Sequence, residues 1–315
     1  MLNIKKNVIL IVGPTGIGKT GLSLRLAESL PNVEIVSADS RQVFKMMDIG
    51  TAKPDLNELQ KVKHHFIDIV FPDEYYSAGK YGRQARRKID SLFQSNATPI
   101  VVGGSGLYIQ ALVDGFFERE VFDSLVKEKF KKIIDKKGIE HLYQKLLQID
   151  SASAKKIHPN DAHRIVRALE VYELTGQPLS EFQQEKSTPA DFEPFFIGLN
   201  RGREKLYQII EERVDSMLRQ GLVDEVKKIQ QSGYTSELNS LKTVGYREIF
   251  DFLNGKIDYD EAVRLIKQRS RNYAKRQLTW FRKDQRIHWI NVDDYKGIDV
   301  LTKHVLEIYD RHKQQ

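Results

Sequence analysis

A run of eight residues near the N-terminus limits the possible folds of this chain more than any other feature. The run is made up of Gly13, Pro14, Thr15, Gly16, Ile17, Gly18, Lys19 and Thr20. A Val- and Ile-rich stretch precedes it and a helical pattern follows it, which is the context of the G-x-x-x-x-G-K-[ST] phosphate-binding loop. In such a loop the backbone N–H groups and the helix N-terminus surround phosphate oxygens. We therefore predict that Lys19 neutralises a phosphate and that Thr20 is placed to bind Mg²⁺.

Further apolar runs predict a parallel sheet around this loop. Val- and Ile-rich segments at residues 8–12, 34–36, 66–69 and 100–102 read as buried strands, and helical patterns cover residues 19–30 and 78–94. Strands that alternate with helices are typical of α/β proteins, which bind ligands at the carboxyl ends of the strands. We predict an α/β fold of the P-loop NTPase type, a parallel sheet flanked by helices.

Residues 117–192 differ from the rest, because they are charged and helical and show no strand pattern. A helix is predicted over residues 160–175, ending before Gly176. The chain then returns to the sheet with a strand-like run at 195–199, a long helix at 204–220, a basic helix and a last strand at 287–290. The expected organisation is a catalytic core of residues 1–116 and 193–315, interrupted by a helical insertion of residues 117–192.

The net charge of +7 is concentrated in one segment. Residues 264–286 contain nine Lys or Arg residues against one acid, Asp284. Arg269, Tyr273, Arg276 and Trp280 share one face of the predicted helix, and Arg271, Lys275 and Arg282 flank it. Cations interleaved with rings suit RNA whose unpaired bases can stack on them.

The composition narrows the function classes. The chain has no cysteine, which excludes disulfides, thiolate metal sites and a cysteine nucleophile. No apolar run approaches the ~20 residues of a membrane span. We expect a cytoplasmic protein with no membrane segment.

Two charged residues outside the loop are candidates for chemistry. Asp39 follows the second predicted strand, where it could act as a general base, a Mg²⁺ ligand or a helix cap, and its place beside the phosphate loop favours catalysis. Arg213 lies on the apolar stripe of its helix and therefore needs an anion, either a carboxylate or a phosphate. The fourth predicted strand ends in Gly103, Gly104 and Ser105 with no carboxylate, which argues against routine ATP hydrolysis.

Taken in order, the motifs resemble the tRNA dimethylallyltransferase (isopentenyltransferase) family. The matching segments are GPTGIGKT (13–20), SADSRQVF (37–44), DIGTAKP (48–54), HHFID (64–68), YSAG (76–79), VGGSGLY (102–108), IHPNDAHRIVRALEVYELTG (157–176), VGYREI (244–249) and YAKRQLTWFR (273–282). The resemblance implies transfer of a dimethylallyl group from dimethylallyl diphosphate to N6 of the adenosine 3′ to the anticodon (position 37). The acceptors would be tRNAs that read codons beginning with U, and diphosphate would be released.

The resemblance also implies roles for individual residues. The loop at 13–20 would hold the diphosphate leaving group with Mg²⁺, Asp39 would be the general base, and Arg213 would contact the diphosphate. Ser105, where many members have threonine, would line the channel between the substrates. With the basic helix, the expected contacts to the tRNA anticodon stem-loop are Asp39, Ser40, Arg41, Gln42, Ser105, His163, Arg164, Ile165, Val166, Arg167, Arg271, Lys275, Arg276, Trp280 and Arg282. We expect a monomer.

Two other functions are compatible with parts of the pattern. A small-molecule or nucleotide kinase also carries this loop on a parallel sheet, but it leaves the basic segment unexplained and predicts ATP turnover. A non-catalytic RNA-binding protein could use the loop to sense a nucleotide. In that case Asp39→Ala would bind RNA and function normally.

Overall fold

The computed structural model describes residues 6–116, 123–183 and 187–314. The chain forms two compact units. The first combines Met1–Val113 with Ala190–Gln315, and the second is Asp114–Pro189. The expected insertion, residues 117–192, overlaps this second unit over most of its length.

A parallel sheet forms the frame of the first unit. Among the described residues its strand order is β3-β2-β4-β1-β5-β6. The strands are β1 (Asn7–Val12), β2 (Val33–Ser37), β3 (His64–His65), β4 (Thr98–Gly103), β5 (Glu193–Asn200) and β6 (His288–Asn291). β1 pairs in parallel with β4 on one side and with β5 on the other. The predicted α/β parallel sheet is confirmed, and its centre is the strand that leads into the glycine loop.

Side chains alternate between the two faces of the sheet, and at β1 both faces are buried. Val8, Leu10 and Val12 pack into one apolar core, and Ile9 and Ile11 pack into the other. This explains why β1 reads as a continuous apolar run and not as an alternating one.

Helices cover the sheet and build the second unit. They are α1 (Lys19–Ser29), α2 (Leu56–Lys61), α3 (Ala78–Gln94), α4 (Gly106–Val113), α5 (Ser124–Ile149), α6 (Ser151–Ala154), α7 (Ala162–Thr175), α8 (Leu179–Phe182), α9 (Arg203–Arg219), α10 (Leu222–Gln231), α11 (Tyr246–Leu253), α12 (Tyr259–Phe281) and α13 (Ile298–Lys313). None of the helices in the described ranges combines the length and the apolar character that crossing a membrane requires. The helices predicted from the sequence are confirmed as α1, α3, α7, α9 and α12.

The position predicted for the third strand is wrong. The prediction covered residues 66–69, whereas β3 is His64–His65 and pairs with β2. Phe66 and Asp68 have φ angles of 65° and 54°, which an extended strand does not contain. The Asp68 carboxylate pairs with the almost fully buried ammonium group of Lys53. The apolar run therefore folds as a turn that packs on the core.

One carboxylate connects the loop before α2 to α10. Glu225 accepts hydrogen bonds from the N–H groups of Asp48 (3.0 Å), Ile49 (2.7 Å) and Gly50 (3.1 Å), and from the Tyr246 hydroxyl at 2.5 Å. These residues belong to the DIGTAKP and VGYREI segments that contributed to the resemblance. Both segments therefore build the frame of the first unit.

The second unit has its own apolar core. Phe130 and Leu142 from α5 pack in one cluster with Ile165 and Leu169 from α7. Helix α5 is interrupted at Gly138, whose backbone has φ 78° and ψ 165°. The buried Asp150 accepts hydrogen bonds from the backbone N–H groups of Ser153 and Ser180, both at 2.9 Å. These caps lower the pKa of Asp150 against the opposing effect of burial.

Candidate active site

The glycine loop connects β1 to α1 in a conformation that suits only glycine. Gly13, Gly16 and Gly18 have φ angles of 146°, 78° and 99°, which residues with a Cβ atom rarely adopt. Space is also restricted, since a Cβ atom on Gly13 would lie 2.7 Å from the carbonyl oxygen of Leu199. The loop is therefore curled against the end of β5.

The backbone N–H groups of this loop fall into two sets. The N–H group of Thr15 donates to Oε1 of Gln277 at 2.9 Å. By contrast, the N–H groups of residues 16–20 donate to no acceptor within the described ranges. Consecutive unpaired N–H groups at a helix N-terminus bind anions. The loop thus has the donor set of a phosphate site.

Lys19, the first residue of α1, lies inside this curl. Its ammonium group donates to the carbonyl oxygens of Gly13 (3.0 Å) and Pro14 (2.8 Å). Burial and the nearby guanidinium group of Arg213 lower the pKa of Lys19 to about 7, although the carboxylate of Asp39 opposes them. The lysine is therefore a cation that an anion ligand would stabilise.

Arg213 reaches the same place from α9. The helix packs on the loop, as a Cβ atom on Gly16 would lie 3.3 Å from Ile210. Burial lowers the pKa of Arg213 below its ordinary value, and the Asp39 carboxylate opposes this effect. In the described part of the chain no carboxylate lies within 4 Å of the Arg213 guanidinium group. Of the two anions considered for Arg213, the structure favours an external one.

Asp39 lies just beyond the carboxyl end of β2. Its Oδ1 atom accepts hydrogen bonds from the N–H groups of Arg41 (2.8 Å) and Gln42 (3.4 Å). Its Oδ2 atom accepts none from the residues that the structure describes. One oxygen therefore shapes the turn, which is the capping role considered above, and the other is left for a substrate proton.

Ser105, beyond the end of β4, links this turn to the neighbouring strand. Its Oγ atom accepts from the N–H group of Ser40 at 2.9 Å and donates to the Ser40 hydroxyl at 3.1 Å. The two loops approach closely, because a Cβ atom on Gly103 would lie 2.1 Å from the carbonyl oxygen of Ala38. The serine therefore sits at the junction of the β2 and β4 loops, beside Asp39.

Helix α12 packs against the β4 loop through one face. Burial raises the pKa of Tyr273 to about 12 with a further contribution from Asp39, and the neighbouring Ser105 opposes this effect. Gln277 donates to the carbonyl oxygen of Gly104 at 2.9 Å, and a Cβ atom on Gly106 would lie 2.2 Å from the Trp280 ring. The sequence reasoning placed Tyr273 toward RNA and did not consider Gln277. The available signal was its spacing of three and four residues from Ala274 and Phe281, which places Gln277 on the apolar face of a charged helix.

The comparison with protein families decides which kind of P-loop protein this is. The family model described as IPP transferase matches residues 42–284. The chain belongs to this family. The resemblance inferred from the motifs is therefore confirmed.

Relatives of this IPP transferase family member match along nearly its whole length. The tRNA dimethylallyltransferase of Alkaliphilus oremlandii is 42% identical over 309 residues, covering 98% of each chain. That of Caldanaerobacter subterraneus is 44% identical over 305 residues, covering 95% of this chain and 96% of the relative.

Solved structures show the same fold. The tRNA isopentenylpyrophosphate transferase of Bacillus halodurans is 36% identical with a TM-score of 0.70, covering 99% of this chain and all of that one. A eukaryotic dimethylallyltransferase acting on tRNA is 30% identical with a TM-score of 0.79, covering 97% of this chain and 79% of that one.

The positive charge of the basic segment, residues 264–286, is more fully paired with acids in this IPP transferase than its sequence indicates. Glu211 and Asp215 on α9 and Glu248 on α11 pair with Arg271, Lys267 and Arg269. Arg264 and Arg286 pair with Glu261 and Asp284. Acids outside residues 264–286, mostly on neighbouring helices, therefore neutralise part of the charge of this segment. Within the described ranges, Lys275, Arg276, Arg282 and Lys283 have no carboxylate partner.

Several residues expected to contact tRNA have protein partners in the first unit. Arg41 donates to the carbonyl oxygens of Asn239 (3.0 Å) and Ser240 (3.3 Å), and burial lowers its pKa. Gln42 donates to the carbonyl oxygens of Thr51 and Ala52. Trp280 remains 40% exposed. Arg41, Gln42 and Arg271 thus hold structure together, whereas Lys275, Arg276, Trp280 and Arg282 form the accessible set.

In the second unit the expected tRNA segment lies at the start of α7. His163 and Arg164 are exposed, and Val166 and Arg167 are partly buried. Arg167 pairs with the buried carboxylate of Glu170 at 2.7 Å. The side chain of Ile165 has no exposed surface and belongs to the apolar core. The Ile165 side chain therefore packs inside the unit, and the contact of this segment with tRNA stays a prediction.

The loop fits a hard cation only in part. The Thr20 hydroxyl makes no hydrogen bond with the residues that the structure describes, so it is available as a ligand. Those same residues contain no group of three or more His, Asp or Glu side chains that could hold a metal. Mg²⁺ commonly keeps several waters and binds through substrate phosphates. The donor set therefore fits a Mg²⁺ ion that arrives with a diphosphate.

Proposed function

We propose that this chain transfers a dimethylallyl group from dimethylallyl diphosphate to N6 of adenosine 37 in tRNAs that read codons beginning with U. Diphosphate is the second product. The enzyme is accordingly a prenyltransferase that modifies tRNA.

One arrangement carries this proposal: Asp39, whose Oδ2 atom accepts no hydrogen bond from the described residues, lies beside both cations of the anion site. Asp39 raises the pKa of Lys19 and that of Arg213, opposing burial in each case. A base placed beside an anion site suits a reaction in which an anion leaves and a proton is removed at the same centre. Gly104 and Ser105 follow β4 where ATP hydrolases carry an acid.

The reaction follows from these positions. The bond between C1 of the allyl group and the diphosphate oxygen breaks, and its electron pair leaves with the diphosphate. The loop N–H groups, Lys19 and Arg213 stabilise the charge that grows on that oxygen. The N6 lone pair of the adenosine forms the new bond to C1, and the N6 proton passes to Asp39.

Mg²⁺ is the proposed cofactor. Thr20 would contribute its hydroxyl, and the diphosphate oxygens and water would complete the shell. When bound, the ion supplies additional stabilisation of negative charge on the leaving group.

The acceptor is proposed to be the anticodon stem-loop. A base in a stacked loop has to leave the stack to reach a buried group, which costs a few kcal/mol. The exposed cations Lys275, Arg276 and Arg282 would bind the phosphates, and the Trp280 ring offers a stacking surface. His163, Arg164 and Arg167 of the helical insertion are proposed as additional contacts, with Ser40 and Ser105 close to the flipped base. We further propose that the enzyme acts as a monomer in the cytoplasm.

Transfer to unmodified tRNA tests the proposal. The protein is incubated with labelled dimethylallyl diphosphate, Mg²⁺ and tRNA isoacceptors that read U-initial or other codons. Label is expected on the U-reading isoacceptors alone and none with the Asp39→Ala variant. ATP turnover without label on tRNA would favour a kinase, and RNA binding without any turnover would favour a sensor.

A further inference from the structure

Gln277 connects the two loops that build the candidate active site. Its Oε1 atom accepts from the N–H group of Thr15 at 2.9 Å, and its Nε2 atom donates to the carbonyl oxygen of Gly104 at 2.9 Å. The residue is 6% exposed. Both ends of one buried amide are therefore used, one on the diphosphate loop and the other on the β4 loop.

The Gln277 side chain packs closely against the backbone of Gly104. A Cβ atom on Gly104 would lie 2.1 Å from Nε2 of Gln277. Trp280, one turn further along the helix, packs against Gly106, where a Cβ atom would lie 2.2 Å from its ring. This face of α12 therefore packs on the β4 loop, and Gln277 extends from it to the diphosphate loop through its hydrogen bond with Thr15.

The same helix carries the exposed cations. Lys275 and Arg276 lie in the turn that contains Gln277, and both are exposed. Because one turn of a helix is rigid, RNA bound to these cations would also restrain the position of the Gln277 side chain. Thr15 directly precedes the N–H groups that are left for the diphosphate.

We propose that Gln277 is a positioning residue that holds the diphosphate loop in its binding geometry and couples it to RNA bound on the exposed face of α12. The coupling part rests on the proposed function. Gln277 touches neither reacting group. Its effect is on the diphosphate site, through Thr15.

The chemistry requires an amide at this position. The side chain must accept from one backbone group and donate to another, which glutamine does without charge. Methionine has a similar length and does neither. A carboxylate accepts but cannot donate, whereas a protonated carboxyl group can do both, and burial raises the pKa of a carboxyl group.

Pyrophosphate binding to the full-length protein tests the positioning role. Calorimetry is performed on wild type, Gln277→Met and, as the matched control, Gln268→Met, an exposed glutamine on the same helix. We expect Gln277→Met to weaken pyrophosphate binding by about tenfold or more, because it leaves the Thr15 N–H group and the buried carbonyl oxygen of Gly104 unpaired. Gln268→Met should match the wild type. A folded Gln277→Met protein that binds pyrophosphate within about twofold of wild type would overturn the proposal.

The coupling is measured by repeating the titration with a saturating anticodon stem-loop. The RNA should tighten pyrophosphate binding to the wild type several-fold and leave the Gln277→Met value nearly unchanged. Equal tightening in both proteins would contradict the coupling. A loss of RNA affinity alone would assign Gln277 to the RNA site and also contradict it.

A second variant keeps the inference testable if Gln277→Met does not fold. For Gln277→Glu, kcat/KM relative to wild type should rise as the pH falls from about 8 to about 6, since protonation restores the donor. A pH-independent ratio would overturn the proposal. Absence of prenyl transfer by the wild type would refute the proposed function, whereas the pyrophosphate titrations would still decide the role of Gln277.

Discussion

The guanidinium group of Arg213 lies near enough to the ammonium group of Lys19 to lower the lysine's pKa. The two cations come from α9 and α1, and the fold holds them together beside Asp39. Like charges are kept together at a cost that an anionic ligand removes. The pair therefore suits an anionic ligand such as the proposed diphosphate, and the expected dependence of ligand affinity on pH follows.

Pyrophosphate affinity should fall as the pH rises above 7. The pKa of Lys19 is about 7 in the free protein, and a bound anion raises it, so binding above that pH takes up a proton. Uptake of one proton corresponds to a loss of pyrophosphate affinity of about tenfold per pH unit well above that pKa. Calorimetry across this range, in two buffers of different ionisation enthalpy, measures both affinity and proton uptake.

The control for this prediction is Lys19→Met. Pyrophosphate has ionisations of its own, which contribute equally to both proteins. The variant should bind more weakly and show a shallower pH dependence. The same slope in both proteins would show that Lys19 is not the titrating group.

Replacing Arg213 should change two quantities. We expect Arg213→Met to weaken pyrophosphate binding by about 100-fold, because a charge-assisted contact to the ligand is lost. It should also raise the pKa of Lys19, since the repelling charge is gone. The midpoint of the pH profile therefore moves upward.

Arg213→Lys is the matched variant for that experiment. It keeps a charge but not the planar fork, so an intermediate affinity is expected. A midpoint that stays in place or moves down in Arg213→Met would contradict the proximity of the two cations.

The two oxygens of Asp39 can be separated by one substitution. Asp39→Asn keeps an acceptor for the N–H groups of Arg41 and Gln42, so the turn should persist. The turnover number should fall by about 10²- to 10⁴-fold, the usual loss when a general base is removed. Pyrophosphate binding should be unchanged or tighter, because a negative charge beside Lys19 has been removed.

Single-turnover transfer and thermal melting measure these effects. Asp39→Ala lacks the acceptor and should melt lower than Asp39→Asn by the equivalent of about 1 kcal/mol. A transfer rate for Asp39→Asn within about tenfold of wild type would exclude Asp39 as the base.

The exposed cations of α12 should determine the salt dependence of RNA binding. Replacing Lys275, Arg276 or Arg282 by alanine should each reduce the slope of log Kd against log salt by about one or less, through loss of counterion release. Arg264→Ala is the control, since Arg264 is exposed but pairs with Glu261 at 2.6 Å. An equal change in slope for all four variants would mean that RNA binding does not depend specifically on the exposed cations of α12.

Features set by local sequence were predictable. The glycine loop could be recognised because strand, glycines and helix are contiguous, and Arg213 could be selected because a cation on an apolar stripe requires a partner. The turn at residues 66–69 was missed since its positive φ angles accompany an ion pair between Asp68 and the distant Lys53.

Features set by long-range contacts were not predictable. The partners of Gln277 lie in the first and fourth strand loops, and no spacing within α12 identifies them. The ion pairs that neutralise part of the basic segment could not be predicted for the same reason, because Glu211, Asp215 and Glu248 belong to other helices. The sequence could show that the segment is basic but not which cations remain accessible.

Mass spectrometry of nucleosides from treated tRNA identifies both the transferred group and the nucleoside that receives it. Unmodified U-reading tRNA is incubated with the protein, dimethylallyl diphosphate and Mg²⁺, and is then digested. We expect one dimethylallyl group on N6 of the adenosine 3′ to the anticodon with wild type and none with Asp39→Asn. Unmodified adenosine at that position with the wild-type protein, or the group on any other nucleoside, would contradict the proposed function.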